Sequence, residues 1–252
     1  MREAMKLLEV CVDSLASARA AIAGGADRLE LCSALIAGGL TPCVHLLEQI
    51  RVESNIPIRC LMRPRAGDFL YERSEIDLMT KQIRTLKAAG ADGFVIGCLT
   101  PEGDLDENAM APLIAAADGA GLTLHRCIDV SRSPVETYMA AKRLGIDTVL
   151  TSGAAASCTD GLHTIGMLLN LRDERNGPEV LIGAGVKAPV IRELLAHLPG
   201  ARAFHMSGKA EIPSRMVFRR EGVPMGLPGL DEWHIPRTDA GAIMAARIAL
   251  DS

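Results

Sequence analysis

Two strings near the start of the chain carry the residues best suited to chemistry: Leu8-Glu9-Val10-Cys11 and Leu29-Glu30-Leu31-Cys32. Each sets a carboxylate and a thiol two residues apart in a strand-like run. Strand side chains alternate between faces, so Glu9 shares a face with Cys11, and Glu30 with Cys32. An ionised carboxylate within an apolar run is costly unless it is paired or wet. Two such runs point to neighbouring strands that aim polar groups at one shared cavity. That cavity is suited to acid–base work by the carboxylates or to capture of a soft metal ion by the thiolates.

The elements that must position these residues form one repeating α/β unit. Gly25-Ala26-Asp27 recurs as Gly90-Ala91-Asp92, Gly145-Ile146-Asp147 and, more loosely, Gly200-Ala201-Arg202, at spacings of 65, 55 and 55 residues. Each copy follows a helix-like segment and precedes a β-rich run, where glycine suits the left-handed residue that closes a helix. The repeat therefore marks every second helix-to-strand junction. Strands are expected near 7–12, 27–32, 58–63, 92–97, 122–126, 147–151, 179–183 and 202–206. Helices are expected near 14–23, 42–52, 73–89, 106–119, 133–144, 160–173, 187–197 and 238–250. Eight βα units in 252 residues predict a single-domain (β/α)8 TIM barrel spanning 1–252, with residues 1–4 a dispensable tail if Met5 is the start. An open doubly wound sheet is the alternative, but Val12-Asp13-Ser14-Leu15 lacks the glycine-rich first turn of that fold.

In such barrels the site lies at the C-terminal ends of the strands. Alternation places Glu9, Cys11, Glu30, Cys32, Arg63 and His125 there, with Arg65 just beyond Arg63, and His205 on the last strand. Thr151 and Ser152 end the sixth strand. Gly183 and Gly185 follow the seventh, and Ser207 and Gly208 follow the eighth. Barrels often bind phosphate after these last two strands through backbone N–H groups. Each residue alone has a plain structural explanation, and Glu9, Glu30 and Arg63 also suit a buried ion network. Two glutamates, two arginines and two histidines at one mouth are harder to explain as core filling. No lysine occupies an inward strand position, which argues against Schiff-base chemistry. The long connection 207–229 is either a surface loop or a cover that brings Arg215, Arg219 or Arg220 over the mouth.

Composition narrows the partners. The chain is 48% hydrophobic and 23% charged with a net charge of −4, and it contains no basic run. Nucleic acid and anionic membrane are excluded as expected partners. The absence of a signal-like start or a long apolar run predicts a cytoplasmic location. The aliphatic surplus fits a homo-oligomer, although no stripe marks an interface, and no organic cofactor is evident. Seven cysteines without a C-x-x-C pair read as free thiols in a reducing compartment. Cys11 and Cys32, at the ends of adjacent strands, are close enough to share one Cu(I), with His125, His205 or Met206 as further donors. Spacing alone favours two unliganded core thiols. Glu9 and Glu30 would raise their pKa, and Arg63 would lower it.

The chain resembles the CutC family. The resemblance rests on Leu8-Glu9-Val10-Cys11-Val12-Asp13-Ser14, Gly24-Gly25-Ala26-Asp27-Arg28-Leu29-Glu30-Leu31-Cys32 and Gly38-Gly39-Leu40-Thr41-Pro42. Further strings are Arg63-Pro64-Arg65-Ala66-Gly67-Asp68-Phe69, Leu124-His125-Arg126, Val149-Leu150-Thr151-Ser152-Gly153 and Gly183-Ala184-Gly185-Val186. The resemblance implies a cytoplasmic (β/α)8 barrel and a role in copper homeostasis, with Cu(I) on cysteines that fall here at Cys11 and Cys32. Ala66, Cys127-Ile128 and Ala154 depart from the family pattern, and Cys127 adds a thiol near the mouth.

Two functions follow. One is a copper-handling protein that holds Cu(I) on Cys11 and Cys32. The other is an isomerase or lyase for a small anionic or phosphorylated substrate. Its catalytic residues would be Glu9, Glu30, Arg63, His125 and His205, with Glu30 as base and His125 as acid. Arg65, Thr151, Ser152, Gly183, Gly185, Ser207 and Gly208 would bind that substrate. A non-catalytic scaffold fits the polar mouth least.

Overall fold

The computed structural model describes residues 6–220, 222–223, 226, 229 and 231–252, so the expected tail at 1–4 lies outside the described residues. Eight parallel strands close into a barrel in chain order: β1 (Leu7–Val12), β2 (Arg28–Leu31), β3 (Ile58–Leu61), β4 (Gly93–Ile96), β5 (Gly121–Leu124), β6 (Thr148–Thr151), β7 (Glu179–Ile182) and β8 (Ala203–Met206). The helices are α1 (Leu15–Ala23), α2 (Val44–Glu53), α3 (Arg73–Ala88), α4 (Glu107–Ala117), α5 (Pro134–Arg143), α6 (Leu162–Arg175), α7 (Ala188–His197) and α8 (Ala240–Asp251). Every expected strand and helix is present, with ends displaced by at most two residues. The fold is the (β/α)8 barrel.

The connection after β8 is more ordered than a plain loop. Its first residues form β9 (Lys209–Pro213), which pairs antiparallel with β10 (His234–Thr238) in a two-stranded ribbon before α8. Arg219 lies over the Trp233 ring and Arg220 over the Phe218 ring. Neither these arginines nor Arg215 lines the barrel mouth.

Alternation divides the strands into two faces. Leu8, Val10, Val12, Leu29, Leu31, Ile58, Phe94, Ile96, Val180 and Phe204 are buried in the main core against the helices. Inside the barrel, among the described residues, two small apolar clusters form, Cys32–Leu61–Val95 and Leu150–Leu181–Ala203. The rest of the interior is polar, and it is polar in layers. Glu9 pairs in register with Arg28 on one side and His205 on the other, and Cys11 pairs with Glu30.

The repeated aspartate has a defined task. Asp27 Oδ2 accepts from Leu8 N (2.7 Å), Asp92 Oδ2 from Ile58 N (2.8 Å) and Asp147 Oδ2 from Leu122 N (2.7 Å). The same aspartates donate their own N–H groups to Leu8 O, Ile58 O and Leu122 O. Each therefore clamps an odd-numbered strand to the even-numbered strand it precedes. The preceding Gly25, Gly90 and Gly145 all have positive φ (91°, 98° and 75°), which costs a glycine little and lets the helix close immediately before the clamp. The fourth copy lacks the device: Gly200 has no positive φ, and Arg202 instead bonds Glu179.

An arginine completes each of these clamps, and at the first Arg247 bonds Asp27 at 2.7 Å. Arg51 bonds Asp92, and Arg59 bonds Asp147 at 2.7 Å and Thr123 Oγ1 at 2.7 Å. Arg59 crosses the inside of the barrel over Gly93 and Gly121, where a Cβ would lie 3.0 Å and 2.7 Å from its side chain. Asp147→Ala leaves Leu122 N–H and the Arg59 guanidinium without their shared acceptor. The expected loss is about 1–3 kcal/mol of unfolding free energy, read from the urea midpoint at unchanged slope.

Candidate functional site

At the C-terminal ends of the strands lies a cavity of about 480 Å³, within the usual range for small-molecule sites. Cys11, Glu30, Cys32, Arg63, His125, Gly185, His205 and Ser207 line it, as the strand alternation requires. Glu9 sits one layer deeper and reaches the cavity through His205. Arg65, Thr151, Ser152, Gly183 and Gly208 do not line it. Arg65 bonds Glu75 and the carbonyls of Asp68 and Leu70, which orders the segment after β3. Thr151 and Ser152 are taken up by Asp129, whose carboxylate accepts from both hydroxyls, from the N–H groups of Ser152 and Ala154, and from Arg126 Nε.

The floor of the cavity is an ion network. Arg28 Nε donates to Glu9 Oε2 at 2.5 Å, and His205 Nδ1 lies 2.8 Å from Glu9 Oε1 and 3.4 Å from Glu30 Oε2. Glu9 is fully buried. Burial alone would raise its pKa, but Arg28 and His205 outweigh that and hold it down at about 2. His205 shows the reverse balance: burial would lower its pKa, and Cys11, Glu30 and Glu9 hold it well above the ordinary histidine value. Glu30 is buried, and its Oε2 has no hydrogen-bond donor among the described residues. Burial and the neighbouring Glu9 raise its pKa to about 7 against the pull of His205 and Arg28. Below that pH the floor carries two cations against one carboxylate, so it attracts an anion.

Arg28 is the site residue that sequence reasoning missed. The signal was present, because Arg28 and Glu30 share a face of β2 by the same alternation that singled out Glu30. Phe69 is a second omission. It lines the cavity from the segment after β3, its ring centroid 4.7 Å from that of His125, with Arg63 over its face at 5.4 Å. Arg63 is fixed by the carbonyls of Ala37, Gly39 and Gly67 at 3.0 Å each.

On the opposite side of the mouth Ala184 and Gly185 adopt consecutive left-handed conformations (φ 72° and 83°). The N–H groups of Ala184, Gly185, Ser207 and Gly208 have no acceptor among the described residues. Free amides at this edge form the kind of nest that holds an anion.

All seven cysteines are free. Cys11 Sγ and Cys32 Sγ lie 3.6 Å and 3.5 Å from the carbonyls of Met206 and Val12. Burial, with Glu30 and Cys11 nearby, pushes the Cys32 thiol far above its usual range. The one group of three metal-capable donors among the described residues is Glu9, Glu30 and His205, which contains no sulfur. The soft donors that line this mouth are the thiols of Cys11 and Cys32 and the thioether of Met206, and burial opposes ionisation of Cys32. Cys127 is buried behind His125 and does not line the cavity.

Fold and mouth define a barrel protein of the (β/α)8 class whose C-terminal cavity is built from buried charge. The chain belongs to the CutC family, whose sequence model matches residues 6–210. The CutC family proteins of Aliivibrio fischeri (strain MJ11) and Porphyromonas gingivalis (strain ATCC BAA-308 / W83) are 40% and 41% identical to it over 242 and 240 residues. These alignments cover 95% of this chain in both cases and 97% and 96% of the relatives. The crystal structure of CutC from Streptococcus agalactiae, whose name assigns it to copper homeostasis, is similar at a TM-score of 0.75 and 25% identity. The match covers 81% of this chain and 99% of that one. N-(5'-phosphoribosyl)anthranilate isomerase from Pyrococcus furiosus shares the fold alone, with a TM-score of 0.56 at 13% identity over 98% of each chain. Among the described residues no helix is long and apolar enough to cross a membrane.

The raised pKa of Glu30 makes stability depend on pH. A carboxyl raised from 4.5 to about 7 on folding contributes stability that is complete below about 4.5 and lost as pH rises through about 7. Glu30→Gln removes that dependence. The variant should gain on wild type between pH 4.5 and 7 and hold a constant advantage above, measured by urea unfolding across the range. A constant difference at every pH would mean that Glu30 does not titrate there.

Proposed function

We propose that the chain is an enzyme that moves a proton on a small anionic substrate held at the C-terminal mouth of the barrel. The observation that carries this reading is Glu30: a buried carboxyl that lines a ligand-sized cavity, has one oxygen without a hydrogen bond, and is raised to about 7. A base poised near the working pH is what general acid–base catalysis requires. Arg28 and the charged His205 share Glu9, so the floor stays charged while Glu30 alone changes state. Arg63 and the free amides of Gly185 and Ser207 supply the contacts for the substrate's anionic group.

Proton abstraction is testable before the substrate is known. Small phosphorylated and carboxylated metabolites are incubated in D2O, and loss of a carbon-bound proton signal is followed by proton NMR. Wild type should exchange a proton in at least one compound, at a rate rising with pH through about 7, and Glu30→Gln should slow this at least about 100-fold. Exchange that survives in Glu30→Gln would remove the assignment.

A second reading has one observation in its favour: Cys11 and Cys32, both soft donors, line the same cavity. Under it the chain takes Cu(I) as cargo, in line with the name of the Streptococcus agalactiae relative. Anaerobic Cu(I) titration against a competing chelator decides the matter. Tight one-to-one binding that either Cys11→Ser or Cys32→Ser abolishes establishes the thiol pair, and equal binding by all three proteins dismisses it.

A further inference from the structure

Three cavity-lining side chains keep a buried polar atom without a hydrogen bond among the described residues: Glu30 Oε2, Arg63 Nε and His125 Nε2. A buried unpaired polar atom is expensive, and three around one cavity are a concentrated expense that a bound ligand would relieve. Their chemical types describe that ligand. Glu30 offers an acceptor or a base, and the other two offer donors.

The proton on His125 is placed by geometry. Cys127 N–H donates to His125 Nδ1 at 3.2 Å, so Nδ1 presents its lone pair and the ring proton resides on Nε2. A doubly protonated ring would set N–H against N–H at that contact. The ring is also wedged in place, with Phe69 against it and Gly97 so close that a Cβ there would lie 2.5 Å from the ring. Burial, reinforced by the positive charge of Arg63, lowers its pKa to about 3. The two histidines of the mouth are therefore opposites. His205 is a fixed cation, and His125 is a fixed neutral donor with no spare proton to give as an acid near neutral pH.

We infer that the substrate is a carbonyl compound with an acidic C–H beside the carbonyl, whose oxygen accepts a hydrogen bond from His125 Nε2–H while Glu30 removes the proton. The inference rests on the acid–base reading of Glu30. In the step, the Glu30 carboxylate takes the proton of the neighbouring carbon. The C–H electron pair becomes a C=C bond, and the carbonyl π pair moves onto oxygen. The resulting enolate oxygen is held by His125 Nε2–H, which stays on the ring, with Arg63 as a nearby cation. Glu30 then returns its proton to the same carbon and the carbonyl re-forms, giving proton exchange with no further reactant. A neutral imidazole is the better partner here, because it stabilises the oxyanion without quenching it by proton transfer, as in other barrel isomerases.

The test uses two probes on the whole chain. Inorganic phosphate reports the anion site alone. Phosphoglycolohydroxamate adds a planar mimic of an enediolate to the same phosphate group. Calorimetric titration should show the hydroxamate binding wild type about 10–100-fold tighter than phosphate, the range expected for hydrogen bonding to a developing charge. His125→Phe should lose most of that gain while keeping its affinity for phosphate, and His125→Gln, which retains a donor, should fall between. In wild type, ¹⁵N NMR should find the His125 ring neutral and Nε2-protonated from pH 5 to 8, with the Nε2–H proton moving downfield when the hydroxamate binds. That arm decides the matter even if His125→Phe does not fold. A hydroxamate no tighter than phosphate, a gain unaffected by His125→Phe, or an imidazolium signal at pH 6 would overturn the inference and leave the acid–base reading standing. If neither probe binds and Glu30 does not titrate near pH 7, the underlying reading fails, and this inference falls with it.

Discussion

One buried carboxylate organises the interior. Glu9 is fully enclosed and lies in register between Arg28 on β2 and His205 on β8. It therefore ties together three consecutive strands, including the pair whose joining closes the barrel. An ion enclosed in this way stabilises the fold only while both partners are present, and losing one member of such a set typically costs about 3–5 kcal/mol. The same carboxylate sets the electrical state of everything above it. It joins Cys11 and Glu30 in holding up the pKa of His205, and it adds to the rise in the pKa of Glu30.

The two ends of the barrel divide the work. At the N-terminal ends of the strands the aspartate clamps and Arg59 satisfy backbone donors and bury charge in matched pairs, and among the described residues there Arg28 Nη2 is left without a hydrogen bond. At the C-terminal ends the pairing is less complete: Glu30, His125 and Arg63 each keep an atom without a hydrogen bond among the described residues. Barrels of this class place stability at one end and chemistry at the other, and here the division can be read in which polar atoms are satisfied.

The order of the elements was legible because period-2 and helical patterns alternate cleanly and because the Gly-Ala-Asp repeat marks the junctions. The inward ring at the mouth followed from alternation alone, which is why Glu30, Cys11, Arg63, His125 and His205 lie where the spacing put them. Thr151 did not follow the ring, since it ends β6 on the face opposite Leu150 and bonds Asp129. Arg65 is turned away by Glu75, a partner ten residues on that no local pattern reveals. The role of Asp129 was equally hidden, because five groups from a 3₁₀ turn and the next strand converge on it only in three dimensions. The ribbon of β9 and β10 was missed because its strands are separated by twenty residues and one of them contains Pro236. The protonation states of the two histidines depend on contacts, an N–H in one case and a carboxylate in the other, that a linear pattern cannot carry.

The fourth copy of the repeat, where arginine replaces aspartate, has a consequence for how the barrel breathes. Strands β1–β2, β3–β4 and β5–β6 are each joined by an aspartate that bonds the neighbouring backbone, while β7 and β8 share two register positions and are joined only by the side-chain pair Arg202–Glu179. Local openings follow the least restrained seam, so amide exchange should be fastest along β7–β8. That seam carries Gly185, His205 and Ser207. The wall of free amides is thus mounted on the part of the ring that yields most easily, and the floor on Glu9 and Glu30 is mounted on a stapled pair. Such a mouth can widen on one side to admit a ligand without disturbing the charges beneath it.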